Sequence, residues 1–427
     1  MPDTAAVLDD LAWRGLIAES TDPAVLRSAL AAGPVTYYCG FDPTAPSLHF
    51  GNLVQLVTMR RLQLAGHRPI GLVGGATGLV GDPSGKSAER AFNEAEVVAS
   101  WVDRIRSQVE RYLSFEGENA AIIANNLDWT APMSTITFLR DIGKHFSVSR
   151  MLAKESVAAR LADEGISYTE FSYQVMQALD YLELFRRHSC TLQTGGSDQW
   201  GNLTAGVDLI RRAEGASVHA LATPLLTRAD GSKYGKSEGE TVWLDPSLTS
   251  PYAFYQYFLN VEDSEVGGLL RTFSFRSHEE IEALEAEAAE HPESRSAQRA
   301  LAEELTTLVH GADEYRRAAA ASTALFGGAE LMELDEATVT AAVAELPRAA
   351  LPAGERLPSL LDLLVATGLA ESRSDARRVI GEGGAYLNNR KVTDPAAAPT
   401  QADLIQGRWL VLRRGKRRLA VAEVTPA

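Results

Sequence analysis

Short apolar, β-rich runs alternate with amphipathic stretches through the first half of this 427-residue chain. Residues 35–39 (VTYYC) and 69–73 (PIGLV) are bounded by Gly or Pro and predict buried parallel strands. Asn52 to Ala65 places Leu53, Leu56, Val57, Leu62 and Leu64 among Arg60, Arg61 and Gln63, a helical spacing. Ala121 to Ala124 (AIIA) and Thr191 to Gln193 predict two more strands, and Glu94 to Leu113 and Ser172 to Phe185 predict helices. Strands alternating with helices imply an α/β fold with a mainly parallel sheet. Ligands of such sheets sit beyond the carboxyl ends of the strands, where the Gly-rich turns after Cys39, Val73 and Gln193 fall.

The pattern changes after Asp245-Pro246. Glu279 to Phe326 is rich in Ala, Glu, Leu and Arg without strand signals, which predicts a helical domain. Residues 347–358, with Pro347, Pro352, Gly354 and Pro358, read as a linker. Beyond it, Ser359 caps a helix through Leu360 to Thr367, and Ser374 caps a second, Asp375 to Ile380, ending at Gly383-Gly384. A strand from Ala385 to Leu387, an Asn388-Asn389 turn and a second strand follow. The expected division is therefore an α/β domain over 1–225, a mobile loop over 226–246, a helical domain over 247–346, a linker over 347–356 and a small α+β domain over 357–427.

Composition adds limits. A hydrophobic fraction of 45% and a charged fraction of 23% are those of an ordinary globular protein. No segment approaches the run of ~20 apolar residues that spans a bilayer. The first residues carry Asp3, Asp9 and Asp10 and lack a basic-then-apolar export pattern, so a cytoplasmic location is expected. Cys39 and Cys190 are the only cysteines, with no C-x-x-C spacing, and read as reduced thiols rather than metal ligands. A net charge of −15 argues at first against a nucleic-acid partner. The charge is uneven, however: Pro358 to Ala427 holds eleven Lys and Arg against seven Asp and Glu, a net of +4, which leaves −19 for the rest. RNA contact through the basic end is compatible with that asymmetry.

Two distant segments carry the chemistry. Cys39 to Asn52 (CGFDPTAPSLHFGN) lies where a strand turns into a helix, so free backbone N–H groups and a helix N-terminus are presented to polyphosphate, with His49 as a further donor. Lys233 to Ser237 (KYGKS) brings two lysines in a Gly-containing loop able to close over a leaving pyrophosphate. Gly81 to Ser87 and Gly231 to Ser237 each imitate a P-loop but have three residues between the glycines where four are needed. A third group, Tyr173, Gln177 and Asp180, recurs at i, i+4 and i+7 and shares one helix face. That stripe contains recognition residues rather than the Lys/Glu mixture of a solvated face. Asp198 and Gln199 sit in a Gly-rich turn, QTGGSDQWG from Gln193 to Gly201, which permits close backbone approach to a ligand.

In this order the His49 and Lys233–Ser237 segments resemble the HIGH and KMSKS signatures of class I aminoacyl-tRNA synthetases, and Tyr38 through Asn52 narrow the resemblance to the bacterial-type tyrosyl-tRNA synthetase family. One departure from the HIGH pattern is Asn52 in place of the second histidine; its amide can place an N–H where the histidine's would lie and is expected to serve the ribose equally well. The resemblance runs from about Leu11 to Val424 and implies a Rossmann-like catalytic domain, an α-helical domain and a small α+β RNA-binding domain. It implies a tyrosine–tRNA ligase that makes tyrosyl-adenylate from L-tyrosine and ATP and then charges tRNA(Tyr). Implied catalytic residues are Thr44, His49, Lys86, Arg90, Lys233, Lys236 and Ser237. The implied tyrosine site is Tyr38 and Asp180 at the phenol, Tyr173, Gln177 and Asp82 at the ammonium, and Gln199 at the carboxylate. The implied ATP site is Cys39, Gly40, Asp42, His49, Gly51, Asn52, Gly196, Asp198 and Lys236. RNA contacts are implied at Arg377, Arg378, Arg390 and Lys391. Mg²⁺ is expected to arrive with ATP, held by phosphates and water without a protein metal cage, and the family works as a homodimer. The rival readings are the tryptophanyl enzyme of the same fold, a non-catalytic RNA-binding protein on a synthetase scaffold, and a pseudouridine synthase suggested by the C-terminal unit alone.

Overall fold

Six strands build the central sheet of the computed structural model: β1 (Glu19–Ser20), β2 (Thr36–Phe41), β3 (Arg68–Val73), β4 (Ile122–Asn125), β5 (Cys190–Gly196) and β6 (His219–Thr223). The structure describes residues 4–82, 94–152, 157, 165–227, 236–237, 240–326, 331–344, 346–352, 357–415 and 418–425. Their spatial order is β1-β6-β5-β2-β3-β4, all parallel except the short β1 on β6. The chain leaves β2 toward β3 and β4, then returns to its other side with β5 and β6. The order therefore reverses at β2, which opens a crevice at the carboxyl ends of β2 and β5. Aromatic and apolar residues make β2 a central strand: Tyr37, Tyr38 and Cys39 are fully buried.

Helices Phe50–Leu64, Ala95–Glu110, Tyr168–His188 and Trp200–Glu214 flank this sheet. The spacing of residues 52–65 gave a real helix two residues early, because His49 is its N-cap and the His49 N–H donates to Asn52 Oδ1 at 3.0 Å. Helix Tyr168–His188 is longer than its apolar pattern suggests. Ser167 caps it, accepting from the Glu170 N–H, and Ser189 ends it in the left-handed conformation. Leu179, Leu182 and Leu184 of this helix join Ile70, Leu209 and Ile210 in one apolar core.

Buried polar pins fix the amino-terminal segment to the same unit. His67 is fully buried; its Nδ1 accepts from the Val35 N–H at 3.2 Å and its Nε2 meets the Thr4 carbonyl at 2.9 Å. That pairing requires the neutral ring with its proton on Nε2. Burial accordingly holds its pKa below the ordinary histidine value. The unfolded chain binds a proton there below about pH 6.5, whereas the folded chain resists it, so folding stability is lost as pH falls below that value. We expect the urea midpoint of the wild type to drop between pH 7.5 and 5.5 by more than that of His67→Gln, whose amide keeps one donor and one acceptor. An equal drop in both proteins would remove His67 from the pH dependence.

Two compact units divide the chain: residues 1–245 with 267–281, and residues 246–266 with 282–427. In the second unit, the helical expectation for 279–326 resolves into Ser296–His310 and Ala312–Leu325 after helix His278–Glu290, which begins in the first unit. The unit ends in a five-stranded sheet. Arg348–Pro352, read from its prolines as linker, is an edge strand running parallel to Arg418–Thr425. Pro352 is tolerated because it closes an edge strand, where a missing N–H costs little. The second small helix is Arg373–Gly381, capped by Ser372 and not by Ser374. The hairpin Ala385–Leu387 to Arg390–Val392 turns at Asn388 and Asn389, whose φ angles of 47° and 64° fit the favoured two-residue turn. Among the described residues no helix is long and apolar enough to cross a membrane.

Candidate active site

The crevice at the strand reversal is lined by Tyr38, Gly40 and Asp42 from β2 and its turn, by Leu72 of β3 and Gly74 and Thr77 beyond it, and by Gln193, Thr194 and Gly195 of β5. Helix Tyr168–His188 adds Tyr173, Gln177 and Asp180, and the next turns add Asp82 and Gln199. All six residues expected at an amino-acid site thus meet in one cleft.

Asp180 is 2% exposed. Trp129 Nε1 donates to its Oδ1 at 2.8 Å and Asn126 Nδ2 to its Oδ2 at 3.0 Å. Desolvation pushes its carboxyl up to about 7, against these two donors, which favour the charged form. Tyr38, 1% exposed, has no hydrogen-bond partner for its hydroxyl among the described residues. Burial, with the Asp180 carboxylate next in effect, holds its phenol well above the ordinary value. A buried hydroxyl without a partner is costly unless a ligand completes it. Gln193, 1% exposed, also carries an Oε1 without a hydrogen-bond partner among the described residues.

A hydrogen-bonded chain runs along the cleft. Asn126 Nδ2 also donates to Thr77 Oγ1 at 2.9 Å, Thr77 donates to Asp42 Oδ1 at 2.7 Å, and Tyr173 donates to Asp42 Oδ2 at 2.6 Å. The Tyr173 hydroxyl proton is therefore committed to Asp42, and its oxygen lone pair is what faces a ligand. Gly74 is required by this chain, since a Cβ there would stand 2.1 Å from Asp42 Oδ1. At the other end Gln199 Nε2 donates to Asp82 Oδ2 at 2.6 Å, and Asn202 Nδ2 holds Gln199 Oε1 at 3.0 Å.

Asn126, Trp129 and Thr77 were not legible as site residues. The signal available was position: Asn126 and Trp129 follow β4 at its carboxyl end, beside the Gly-rich turns that did draw attention.

Of the expected nucleotide segment, Gly40 and Asp42 line this cleft, and His49, Gly51 and Asn52 are not among its lining residues. His49 caps its helix and pairs by a β-bridge with Trp243. The Phe50 N–H donates to the Val242 carbonyl at 2.8 Å and the Leu244 N–H to the Leu48 carbonyl at 2.9 Å. Residues 242–244, which follow the lysine segment in the chain, are thereby tied to the histidine segment. Gly51 leaves room for the His49 ring, because a Cβ there would come within 2.9 Å of His49 Cε1. Asn52 spends its Oδ1 on the His49 N–H. Thr44 is exposed. Cys39 is buried with its Sγ 3.8 Å from Gln55 Oε1, facing away from the cleft that Tyr38 and Gly40 line; burial pushes its thiol up to about 12, so it is no thiolate. Gly196 is the last residue of β5 and Asp198 follows it; a Cβ on Gly196 would meet Asp198 Oδ1 at 2.8 Å. Lys236 and Ser237 form a two-residue strand paired with Glu240–Thr241, described for the backbone alone. Lys86, Arg90 and Lys233 lie outside the described residues. Among the described residues no group of three or more His, Cys, Asp and Glu is placed to hold a metal ion.

Of the four expected RNA contacts, Arg378 is tied to Asp375 at 2.7 Å and to Glu382 at 3.5 Å. Arg377, Arg390 and Lys391 stand exposed on the second helix and the hairpin.

Comparison with known proteins agrees with this geometry. The family model of class I tRNA synthetases (W and Y) matches residues 30–327, and that of the tyrosine–tRNA ligase SYY-like C-terminal domain matches residues 338–422. The chain is 63% identical over 421 residues to a tyrosine–tRNA ligase of Streptomyces avermitilis, covering 98% of this chain and 99% of the relative. It is 62% identical over 425 residues to that of Streptomyces coelicolor, covering 99% of each. A C-terminally truncated mitochondrial tyrosyl-tRNA synthetase of Aspergillus nidulans superposes with a TM-score of 0.69 at 29% identity, over 75% of this chain and 94% of that one. With its cleft at the sheet reversal and both halves matched by family models, this chain belongs to the tyrosine–tRNA ligases, within the class I aminoacyl-tRNA synthetases.

Proposed function

We propose that the chain activates L-tyrosine with ATP to tyrosyl-adenylate and pyrophosphate, then transfers the tyrosyl group to the 3′ end of tRNA(Tyr). The observation that carries this reading is the buried Tyr38 hydroxyl without a partner, in the same cleft as an Asp180 carboxylate fixed by Asn126 and Trp129. A substrate phenol would donate to Asp180 and accept from Tyr38. Phenylalanine would leave the Tyr38 hydroxyl without a partner and offer Asp180 no donor beyond Trp129 and Asn126. Asp82, Gln177 and the Tyr173 oxygen receive the substrate ammonium, and Gln199, held by Asp82 and Asn202, stands at the carboxylate.

The substrate carboxylate attacks the α-phosphate in line, the bond to pyrophosphate breaks, and no side chain becomes a nucleophile. Positioning and electrostatics supply the catalysis. Cys39, Gly40, Asp42, Gly51, Asn52, Gly196 and Asp198 form the nucleotide side. Thr44, His49, Lys86, Arg90, Lys233, Lys236 and Ser237 meet the charge that develops on the phosphates. Mg²⁺ enters with ATP, held by phosphates and water. Arg377, Arg378, Arg390 and Lys391 serve the tRNA, with Arg378 the weakest candidate because two carboxylates already share it. A cytoplasmic homodimer fits the exposed Ile136, Leu139 and Val148 in the segment before helix Tyr168–His188; sedimentation at two concentrations tests the dimer.

Tyrosine-dependent ATP–pyrophosphate exchange tests the central claim. Exchange is expected with tyrosine and not with tryptophan or phenylalanine. Exchange driven by tryptophan, or none with any amino acid, would overturn it.

A further inference from the structure

The turn that carries His49 is anchored by a side chain outside the lining of the cleft. Gln108, on helix Ala95–Glu110, is 7% exposed and meets Ser47 and Leu48, both buried as well. Its Oε1 accepts from the Leu48 N–H at 2.8 Å, and its Nε2 donates to Ser47 Oγ at 3.1 Å. Ser47 Oγ also accepts from the Asp245 N–H at 3.2 Å. Its own proton has the Leu48 carbonyl at 2.7 Å and Gln108 Oε1 at 3.3 Å within reach. The two lone pairs and the one proton of that hydroxyl are thereby used. The Leu48 carbonyl accepts in addition from the Leu244 N–H at 2.9 Å.

One amide therefore joins three stretches of chain: its own helix, the His49 turn and the segment that ends at Asp245. Ser47 and Leu48 directly precede His49, the N-cap of helix Phe50–Leu64. Where they stand decides where the imidazole and the first N–H groups of that helix stand. An amide fixes direction as well as distance, because its acceptor and its donors lie in one plane. An apolar side chain of the same length would fill the space and leave the buried Leu48 N–H without this acceptor.

We propose that Gln108 is a positioning residue for the adenylation step, which holds Ser47 and Leu48 against residues 244–245 and so sets the place of His49. The proposal rests on the ligase reading, in which His49 meets the charge that develops on the phosphates, and it names the group that keeps His49 there. That charge develops in the transition state, so the anchor acts on the rate of the nucleotide step and not on tyrosine binding.

Single-turnover formation of tyrosyl-adenylate, set beside equilibrium tyrosine binding, tests it. Gln108→Met keeps the length of the side chain and removes the amide. At saturating tyrosine and ATP the rate is expected to fall about 10- to 100-fold, the loss that a displaced group produces, with tyrosine affinity within about twofold of the wild type. Ser47→Ala removes one of the two contacts and should slow the step less. In the double variant the combined loss should fall short of the product of the two, because both act through one turn. Hydrogen exchange reads the anchor without reference to activity: Gln108→Met should speed it in residues 44–50 and 242–245 and leave helix Tyr168–His188 unchanged. A merely stabilising glutamine would lower the urea midpoint and leave the single-turnover rate of the folded variant alone. That result, a loss of tyrosine affinity equal to the loss of rate, or fully multiplicative losses in the double variant would overturn the positioning role. The wild type separates the two readings. No tyrosine-dependent ATP–pyrophosphate exchange in the wild type would sink the ligase; hydrogen exchange quickened in those two segments alone would still uphold the anchor, and quickened equally throughout would overturn it.

Discussion

Asp180→Ala is expected to lower kcat/KM for tyrosine in the exchange reaction by about 10- to 150-fold, the loss that accompanies a hydrogen bond to a buried charged group. Discrimination against phenylalanine should narrow at the same time, since the acceptor that favours a phenol is gone. The variant also strands the Trp129 and Asn126 donors, which now point at Asp180. The pH dependence separates the roles. Tyrosine binding needs the ionised carboxylate, because both neighbouring donors and the phenol O–H require an acceptor. With the carboxyl pushed up to about 7, tyrosine affinity should tighten as pH rises from 6 to 8, and Asp180→Asn should flatten that rise. Folding runs the other way. A carboxyl raised from its ordinary value near 4 adds a cost that is absent below that value and complete above about 7. The wild type alone should therefore lose this component of stability across pH 4 to 7. Identical tyrosine titrations for wild type and Asp180→Asn at every pH would remove Asp180 from the phenol site.

Arg14→Ala should produce the largest loss of stability. The Arg14 side chain is 4% exposed, and its Nε donates to Asp10 at 2.8 Å. Nη1 donates to the Arg271 and Ser274 carbonyls at 3.0 and 2.9 Å, and Nη2 to the Arg276 carbonyl at 3.0 Å. Arg61 adds a bond to Ser274 at 2.6 Å, and His278 meets Asp10 at 2.7 Å while its ring stacks on Trp13. Removing one partner from a buried ionic cluster costs about 3–5 kcal/mol. Arg14→Lys should recover a minor part, because an ammonium is a point charge and cannot fork across three carbonyls and a carboxylate. Urea unfolding reads the effect, and a midpoint within error of the wild type in Arg14→Ala would contradict it.

Local chemistry made much of the molecule legible. Strand β2 is aromatic and β-branched enough to be central in any sheet, and Asn388-Asn389 supplies the two positive φ angles that a tight hairpin requires. Tyr173, Gln177 and Asp180 share a cleft because helical spacing alone aligns them. Boundaries were less legible. The sequence reading puts the cap of the second small helix at Ser374 and the structure puts it at Ser372, since either hydroxyl can serve and only the direction of chain entry chooses. Arg348–Pro352 looked like linker because its pairing partner, Arg418–Thr425, is supplied by the far end of the chain.

The sequence by itself determined the α/β plan and the helix face that lines the cleft, both of which follow from periodicity, turn chemistry and residue type within a few turns of chain. Tertiary structure alone decided what holds those groups. Asn126 and Trp129 reach Asp180 across 54 and 51 residues, Arg14 finds its carbonyls more than 250 residues away, and Gln108 reaches the Leu48 N–H across 60 residues. Each of these partners is an ordinary polar residue until burial removes the water that would otherwise satisfy it. Desolvation makes such contacts decisive, and desolvation is a property of the packed chain.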